Sequence, residues 1–254
     1  MSRIEVVSPV DGSIYVRREP ADWDAVGAAL ARAERAARER RSVPLAERMA
    51  LCGRFADRLA ERAEELGPEL AWQMGRPVRF APREITTAAA RARRMIELAP
   101  EALAEIRIDG ASDLELFIRR EPVGVVLVIP AWNYPYLIAV NSVVPALLAG
   151  NAVLLKHSSQ TPLVAERFGE AFAAAGLPPG VFQWLHAGDV ETERAVADAR
   201  VGFVAFTGSV RGGHDMVRAA SGRFVGCGLE LGGKDPAYVR ADADLAHAVE
   251  NLVD

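Results

Sequence analysis

The chain has 254 residues, of which 50% are hydrophobic and 25% are charged. This length and apolar content allow one or two domains with a large core and exclude a largely disordered protein. Only two cysteines occur, Cys52 and Cys227, so a disulfide scaffold is also excluded. The net charge of -4 does not favour polyanion binding, and we expect no nucleic-acid partner.

The N-terminus carries no recognisable export signal, which predicts a cytoplasmic protein. The uncharged run from Pro122 to Leu155 is long enough to span a bilayer. However, Pro130, Pro135 and Pro145 interrupt the run, as do several asparagines. A buried strand followed by a loop and a helix fits this pattern better, so we expect no membrane partner.

The first third of the chain has helical patterning. Residues 21–41 are rich in Ala, Glu and Arg, with apolar positions at helical spacing. A second helix is predicted from Pro44 through Leu66, ending before Gly67-Pro68, and a third near 84–99, ending at Pro100. Residues 1–104 are therefore predicted to form an N-terminal helical region.

Residues 105–121 alternate apolar and charged side chains around Asp109-Gly110. This alternation predicts a β-hairpin, or two strands joined by a turn, with one covered face. We interpret 105–121 as a possible oligomerisation arm that packs on another subunit.

From Pro122 to Asp254 the pattern alternates between strands and helices. Helices are predicted near 136–149, 162–175 and 190–199, between apolar strands at Val123–Ile129, Ala152–Leu155, Val181–Leu185 and Val201–Phe206. Such alternation predicts an α/β fold with a mostly parallel sheet and helices on both faces. Ligands bind at the carboxyl ends of the strands in this architecture. Unusual residues follow three of these ends, at 130–133, 156–159 and 207–209.

Two of the strand-end segments have features of a phosphate or ribose site. FTGSVRGG (206–213) has small residues that let backbone N–H groups approach a phosphate, although a plain strand-to-helix turn would look similar. LKHSSQTP (155–162) carries Lys156, which could reach a ribose hydroxyl or a phosphate oxygen. The alternative is a surface lysine beside a helix start. Lys156 and Lys234 are the only lysines in the chain.

Two further segments carry groups suited to acyl chemistry. LELGGKDP (229–236) places Glu230 in an otherwise apolar strand, where we expect burial to desolvate the carboxylate and suit it to a general base. The alternative is a structural, hydrogen-bonded glutamate. IPAWNYP (129–135) offers the Asn133 amide between two prolines, which suits an oxyanion hole but is also common in turns. Trp132, Tyr134 and Tyr136 either line a substrate tunnel or pack in the interior.

These four segments, with SPVDG at 8–12, resemble the aldehyde dehydrogenase superfamily over nearly the whole chain. The segments are similar to those of bacterial succinate-semialdehyde and related aldehyde oxidisers. Ala131 stands where the family usually has a proline before the tryptophan. The resemblance implies a Rossmann-like fold in 122–254, NAD or NADP as cofactor, an aldehyde substrate and a homo-oligomer, either a dimer or a tetramer. No metal site is implied.

The resemblance also implies roles for individual residues. Asn133 would donate to the oxyanion of a thiohemiacetal, and Glu230 would activate the deacylating water. Lys156 would hold the adenosine ribose, Ser209 would bind the pyrophosphate, and Lys234 would support the Glu230 segment. The full set of implied cofactor-binding residues is Ile129, Pro130, Ala131, Trp132, Lys156, Ser158, Ser159, Gly188, Thr207, Gly208, Ser209, Gly213, Leu231 and Gly232.

Two departures from the family pattern matter. Ser159 stands where members selective for NAD often carry Glu, and this removes repulsion toward a 2′-phosphate, so we expect NADP to be tolerated. The family's nucleophilic cysteine lies beyond the Glu230 segment, and no cysteine follows Glu230 here. Strand alternation places Cys227 on the face opposite Glu230, and Cys52 falls on a helix, so we interpret both as structural cysteines.

The catalytic domain of the family is therefore expected to be absent, and the chain alone is expected to be inactive. The sequence ends inside a predicted helix without a stop signal, which favours a truncation point. The alternative hypothesis is a short non-catalytic relative that binds nucleotide or acts as a subunit.

Overall fold

A computed structural model describes residues 3–108 and 114–253. The described chain begins with an antiparallel hairpin of β1 (Ile4–Val7) and β2 (Ile14–Arg18), which the sequence analysis did not predict. Val6 and Val16 are the buried residues of the two strands and pack together with Leu163. One inward side chain on each strand is too weak a pattern to predict a strand.

Four helices follow the hairpin: α1 (Trp23–Arg40), α2 (Leu45–Glu61), α3 (Ala63–Met74) and α4 (Ala81–Ala102). Helix α1 confirms the predicted helix at 21–41. It begins where the Asp22 side chain accepts the N–H of Ala25 at 2.8 Å, which satisfies one of the unpaired N–H groups of the first turn.

The predicted end of the second helix is wrong. The helix breaks at Arg62, and Gly67 and Pro68 lie inside α3. A Cβ added to Gly67 would lie 2.7 Å from a side-chain carbon of Pro82, so the glycine allows close packing of α3 on α4. Tertiary packing here overrides the local stop signal. Pro100 likewise lies inside the last turn of α4.

Strands β3 (Ile106–Ile108) and β4 (Leu116–Ile118) pair antiparallel, as predicted for 105–121. The predicted turn at Asp109-Gly110 lies outside the described residues. The register pairs Ile106 with Ile118 and Ile108 with Leu116, which makes one face of the hairpin apolar. This face is exposed within the described chain, and its covering by another subunit stays a prediction.

The remaining elements alternate along the chain. They are β5 (Val125–Ile129), α5 (Pro135–Leu148), β6 (Ala152–Leu155), α6 (Leu163–Ala174), β7 (Phe182–Trp184), α7 (Asp189–Ala197), β8 (Val201–Gly208), α8 (Val210–Ala220), β9 (Gly226–Leu231) and α9 (Leu245–Leu252). Strands β5 to β9 form a parallel sheet in the order β7-β6-β5-β8-β9. The predicted α/β fold is confirmed.

Both faces of this sheet are covered by helices. Alternate residues of β5, such as Val126 and Val128, pack with α2, α3, α4, α5 and α6. The intervening residues, such as Leu127 and Ile129, pack with α1, α7 and α8. The N-terminal helices therefore share their cores with the sheet. Within residues 3–108 and 114–253, no helix is long and apolar enough to cross a membrane.

Candidate functional site

The structure brings the strand-end segments of the sequence analysis to one edge of the sheet. Because β5 to β9 are parallel, their carboxyl ends share that edge. The strand order also reverses direction beside β5, since the chain runs outward through β6 and β7 and then returns to β8. Such a reversal opens a ligand crevice between the loops that follow the two adjacent strands, here the loops after β5 and β8.

The loop after β5 presents Asn133 to solvent. Among the described residues no hydrogen bond occupies its side-chain amide, whereas its backbone carbonyl accepts Arg76 Nη2 at 2.8 Å. Trp132 and Tyr134 are 44% and 47% exposed, and the Arg76 guanidinium carbon lies 4.3 Å from the centre of the Tyr134 ring. The amide is therefore available to a ligand while the backbone behind it is anchored.

Tyr136 belongs to the interior, not to a substrate tunnel. Its side chain is fully buried, and its ring centre lies 5.9 Å from that of Phe168. Burial raises the pKa of the Tyr136 phenol well above its ordinary value, so the phenol stays neutral. Of the three aromatic residues near Asn133, only Trp132 and Tyr134 face solvent.

A buried ion pair that sequence reasoning missed lies beneath this loop. Glu84 Oε1 accepts the Tyr136 backbone N–H at 3.0 Å, and Glu84 Oε2 lies 3.2 Å from Arg76 Nε. Burial raises the pKa of Glu84, and the opposing effects of Arg76 and two backbone N–H groups do not fully offset it. A signal existed, because Glu84 lies on the stripe of α4 that buries Ala81, Ile85 and Ala88.

Lys156, Ser159 and Gly188 line one cleft of about 620 Å³. Lys156 is half-buried, and burial lowers the pKa of its ammonium group, while the nearby Asp189 opposes that shift. Gly188 lies directly before the first turn of α7. The cleft thus combines a cation, a hydroxyl and a helix N-terminus, which suit phosphate, with the carboxylates of Glu5 and Asp189, which can accept from sugar hydroxyls. Asn133 and Glu230 do not line it.

His157, next to Lys156, is a second residue that sequence reasoning missed. It is buried, with Nε2 3.2 Å from the Pro135 carbonyl and Nδ1 3.3 Å from Thr161 Oγ1. Burial lowers the pKa of His157 to about 4, so the imidazole is neutral near pH 7. A neutral ring with its proton on Nε2 donates to Pro135 and accepts from Thr161. The contact joins the Lys156 segment to the Asn133 loop.

The segment after β8 forms a capped helix start. Ser209 Oγ accepts the N–H of Gly212 at 3.1 Å, and Thr207 and Gly208 end the strand before it. Gly213 is buried, and a Cβ there would lie 2.5 Å from a side-chain carbon of Leu231. Gly213 therefore allows α8 to pack closely on β9.

Glu230 is exposed, which corrects the prediction that it lies desolvated in an apolar strand. Strand β9 is an edge strand, and its outer face carries Gly226, Gly228 and Glu230. Glycines provide no side chains around the carboxylate, so water reaches it. Cys227 lies on the opposite face of β9, as predicted, and packs against the core beneath α8. Lys234 is also exposed.

The remaining predicted site residues flank these groups. Ile129 and Pro130 are buried, Ala131 and Ser158 are half-buried, and Gly232 donates its N–H to the Gly208 carbonyl at 3.1 Å. All of them lie on the same sheet edge as Asn133. The sheet geometry therefore gathers the predicted residues at one edge of the sheet. There they form two sites, the Lys156 cleft and the crevice between the loops after β5 and β8.

Comparison with known proteins identifies the family. The model of the aldehyde dehydrogenase family matches residues 1–254. The chain belongs to the aldehyde dehydrogenase family. It is 34% identical over 253 residues to succinate-semialdehyde dehydrogenase [NADP(+)] of Mycobacterium avium (strain 104). The matched region covers 98% of this chain and 54% of that relative.

Solved structures of aldehyde dehydrogenases agree with this family. Succinic semialdehyde dehydrogenase from Streptococcus pyogenes, in complex with NADP+, has a TM-score of 0.91 and 26% identity, covering 97% of this chain and 54% of that one. An NAD-dependent benzaldehyde dehydrogenase from Corynebacterium glutamicum has a TM-score of 0.90 and 31% identity, covering 98% and 54%. The chain thus spans about half the length of the dehydrogenases it matches.

Neither cysteine of this aldehyde dehydrogenase chain has the environment of a reactive thiolate. Burial raises the pKa of the Cys52 thiol to about 12, even though Arg40 and Arg48 lie near it. Burial also raises the pKa of Cys227. Nucleophilic cysteines require the opposite shift, toward a stabilised thiolate. Both cysteines are unpaired, and we read both as structural.

Proposed function

We propose that these 254 residues form the cofactor-binding part of an enzyme that oxidises an aldehyde to a carboxylic acid with NAD or NADP. The observation that carries this proposal is the shared sheet edge, where a nucleotide-sized cleft, a capped helix start, a solvent-facing amide and an exposed carboxylate lie together. Family membership supports the reaction type.

The cleft residues fit a dinucleotide. A volume of about 620 Å³ lies within the range of small-molecule sites, and Lys156 supplies a positive charge close to the Asp189 carboxylate that also lines the cleft. Lys156 and Ser159 would hold the ribose end, and Ser209 with the first turn of α8 would hold the pyrophosphate. The chemistry that a bound nicotinamide supplies is acceptance of a hydride.

The two site residues at the crevice would act at different stages. A cysteine thiolate adds to the aldehyde carbon, and the Asn133 amide donates to the oxygen as it becomes negative. Loss of hydride from that carbon leaves a thioester. Glu230 then takes a proton from water, whose oxygen attacks the thioester carbonyl, so the carboxylic acid leaves and the thiol is restored. Glu230 would need its exposed position to reach that water.

The thiolate itself would come from outside these residues. The pKa values of both Cys52 and Cys227 are raised by burial, and Cys227 faces away from Glu230. We therefore expect the chain alone to bind cofactor without oxidising aldehydes. These cysteines are also the observation that favours the second hypothesis, a non-catalytic nucleotide-binding relative.

The position of Ser159 supports acceptance of NADP. An uncharged hydroxyl at the rim of the Lys156 cleft places no negative charge against a 2′-phosphate. The similar dehydrogenase of Mycobacterium avium is named for NADP(+), which agrees with this expectation. NAD remains the alternative cofactor.

We also propose a homo-oligomer built through the β3–β4 hairpin. The apolar face of the hairpin carries Ile106, Ile108, Leu116 and Ile118, and all four are exposed. An isolated two-stranded hairpin is marginal in water, and a second subunit would cover its apolar face.

Calorimetric titration of the chain with NAD and NADP tests the cofactor assignment. We expect Lys156→Met to weaken binding by about tenfold, because it removes one partly desolvated charge contact. The control Arg94→Met removes an exposed charge on α4 and should leave binding unchanged. Failure of the wild-type chain to bind either dinucleotide would contradict the proposal.

A second assay separates the two hypotheses. Aldehyde oxidation is measured for the chain alone and for the longest natural polypeptide or complex that contains it. Activity that appears only with the additional polypeptide and disappears on thiol alkylation supports the dehydrogenase. Cofactor binding without oxidation in either preparation supports the non-catalytic relative.

A further inference from the structure

We propose that Arg76 and Glu84 are positioning residues that hold Asn133 in the orientation needed to stabilise an oxyanion. The inference rests on the proposed role of Asn133. Neither residue is hydrogen-bonded to the Asn133 side chain, and the pair acts through the backbone of the Asn133 loop. The argument depends on where the pair binds that backbone, on its burial, and on what else could fix the loop.

The pair binds the backbone at Asn133 and three residues beyond it. Arg76 Nη2 donates to the Asn133 carbonyl at 2.8 Å, and Glu84 Oε1 accepts the Tyr136 N–H at 3.0 Å. Arg76 Nε lies 3.2 Å from Glu84 Oε2, so the two anchors form an ion pair, although these two atoms do not make a hydrogen bond. Arg76 therefore holds the Asn133 peptide directly, and Glu84 holds it through Arg76 and through the chain at Tyr136.

The pair is rigid because it is buried. The side chains of Arg76 and Glu84 are 16% and 1% exposed. Arg76 also stacks on Tyr134, and the guanidinium is planar and permanently charged, so its three contacts share one fixed geometry. Removing one partner would leave the other charge buried without compensation.

Little else fixes the loop. Trp132, Asn133 and Tyr134 are exposed, so no described residue packs over the loop from the solvent side. The third anchor is His157, which meets the Pro135 carbonyl at 3.2 Å. The segment 133–136 is thus bound at three backbone atoms by side chains from distant parts of the chain.

This arrangement predicts a specific kinetic effect. The Asn133 amide matters most when the substrate oxygen carries negative charge, so a displaced amide slows turnover more than it weakens ground-state binding. Cofactor affinity should be unaffected, because the Lys156 cleft contains neither Arg76 nor Glu84. A structural role alone would not produce this separation.

The test is a double-mutant cycle in the active polypeptide or complex that contains this chain. We expect Glu84→Gln and Arg76→Met each to lower kcat by about tenfold, with KM and cofactor Kd within about twofold. In an Asn133→Ala background neither substitution should lower kcat further, because the group they position is already gone. Losses that multiply in that background would overturn the proposal.

The matched control is Asp198→Asn. Asp198 forms a partly buried ion pair with Arg200 at 2.6 Å, directly before β8 and at the end of that strand opposite the site. It should leave kcat unchanged, and an equal loss of kcat in this variant would assign the effect to general stability. If Asn133→Ala itself leaves kcat unchanged, Asn133 does not stabilise an oxyanion, and the positioning role proposed for Arg76 and Glu84 is refuted as well.

Amide hydrogen exchange on the chain alone gives a readout without turnover. We expect Arg76→Met to increase exchange at the Tyr136 N–H by at least about tenfold relative to amides in β5, since Glu84 loses its partner. Asp198→Asn should leave this ratio unchanged. An unaltered ratio in Arg76→Met would contradict the proposal even if catalysis changed.

Discussion

The Asn133 loop and the Glu230 strand carry the two proposed catalytic groups, but they are built differently. The Asn133 loop is anchored by a buried ion pair and a buried imidazole. Glu230 lies on an edge strand whose outer face carries Gly226 and Gly228, and nothing described covers it. The chain thus preorganises one of the two proposed catalytic groups and leaves the other open to water.

This difference shows which contacts each function needs. An oxyanion donor must be fixed before the charge develops, so its supporting contacts belong in the same folded unit. A base that activates water needs access to solvent. The two groups should therefore respond differently to mutation. Substitutions of the residues that anchor the Asn133 loop should change both stability and the position of the amide, whereas substitution of Glu230 should change only the reaction rate.

The largest expected effect is at Glu230. In the active polypeptide or complex, we expect Glu230→Gln to slow steady-state turnover by about 10²- to 10⁴-fold, because the water loses its base. One equivalent of reduced cofactor per site should still form in a burst. Rapid-mixing absorbance measures the burst, and thermal unfolding should show no change, since the side chain is exposed. A lost burst would place Glu230 before hydride transfer.

The next largest effect should be at Glu84, where the cost is in stability. We expect Glu84→Ala to lower the free energy of unfolding by about 3–5 kcal/mol, because the buried Tyr136 N–H and the largely buried Arg76 side chain both lose their partner. Urea unfolding of the chain measures this loss. The control Glu97→Ala removes an exposed partner of Arg94 and should cost less than about 1 kcal/mol. Equal losses of unfolding free energy in the two variants would show that the Arg76–Glu84 pair stabilises the fold no more than an exposed ion pair does.

The third prediction concerns acid sensitivity of the loop anchor. Burial lowers the pKa of His157 from its ordinary value of 6.5 to about 4, so between these values the unfolded chain binds more protons than the folded one. The contribution of neutral, buried His157 to the free energy of unfolding is complete above pH 6.5. It falls by roughly 3 kcal/mol in total as the pH drops to about 4. His157→Gln should remove this part of the pH dependence of urea unfolding.

Glu166 provides an internal reference for that experiment. Burial would raise the pKa of Glu166, but hydrogen bonds from His186 and Arg18 outweigh this and hold it at about 2. Its contribution is therefore complete above about pH 4.5 and declines as the pH falls toward 2. An unchanged slope between pH 6.5 and 4.5 in His157→Gln would refute the assignment to His157.

The smallest expected effect is at Ser159 in the cofactor cleft. Ser159→Glu should weaken NADP binding by about tenfold through repulsion of the 2′-phosphate, while NAD binding changes little. Titration calorimetry with both dinucleotides measures the ratio. Ser42→Glu, an equally charged change outside the cleft, should leave the ratio unchanged. Equal weakening of both cofactors by Ser159→Glu would indicate a general disturbance of the cleft.

The sheet could be predicted from sequence because its signals are local. The strands β5, β6 and β8 are apolar runs followed by turn residues, and the parallel arrangement brings their ends together without further information. The hairpin β1–β2 was not predicted, because each of its strands buries only one side chain.

The supporting contacts of the site could not be predicted in the same way. Glu84 meets Tyr136, 52 positions away, and His157 meets Pro135, 22 positions away. Such pairs depend on how helices pack, which local patterning does not specify. The burial predicted for Glu230 was wrong for a related reason, since only the strand order reveals that β9 is an edge strand.

The position of α1 in the fold has a consequence for synthesis on the ribosome. Its apolar side, including Val26, Ala29 and Leu30, packs against β5 and β6. At about 5–20 residues per second, β6 emerges roughly 5 to 20 seconds after α1 is complete. During that interval β5 and β6 are not both available to pack against α1. The apolar side of the helix is therefore exposed to water and accessible to chaperones. The layers of this protein therefore assemble in an order different from the order in which they are made.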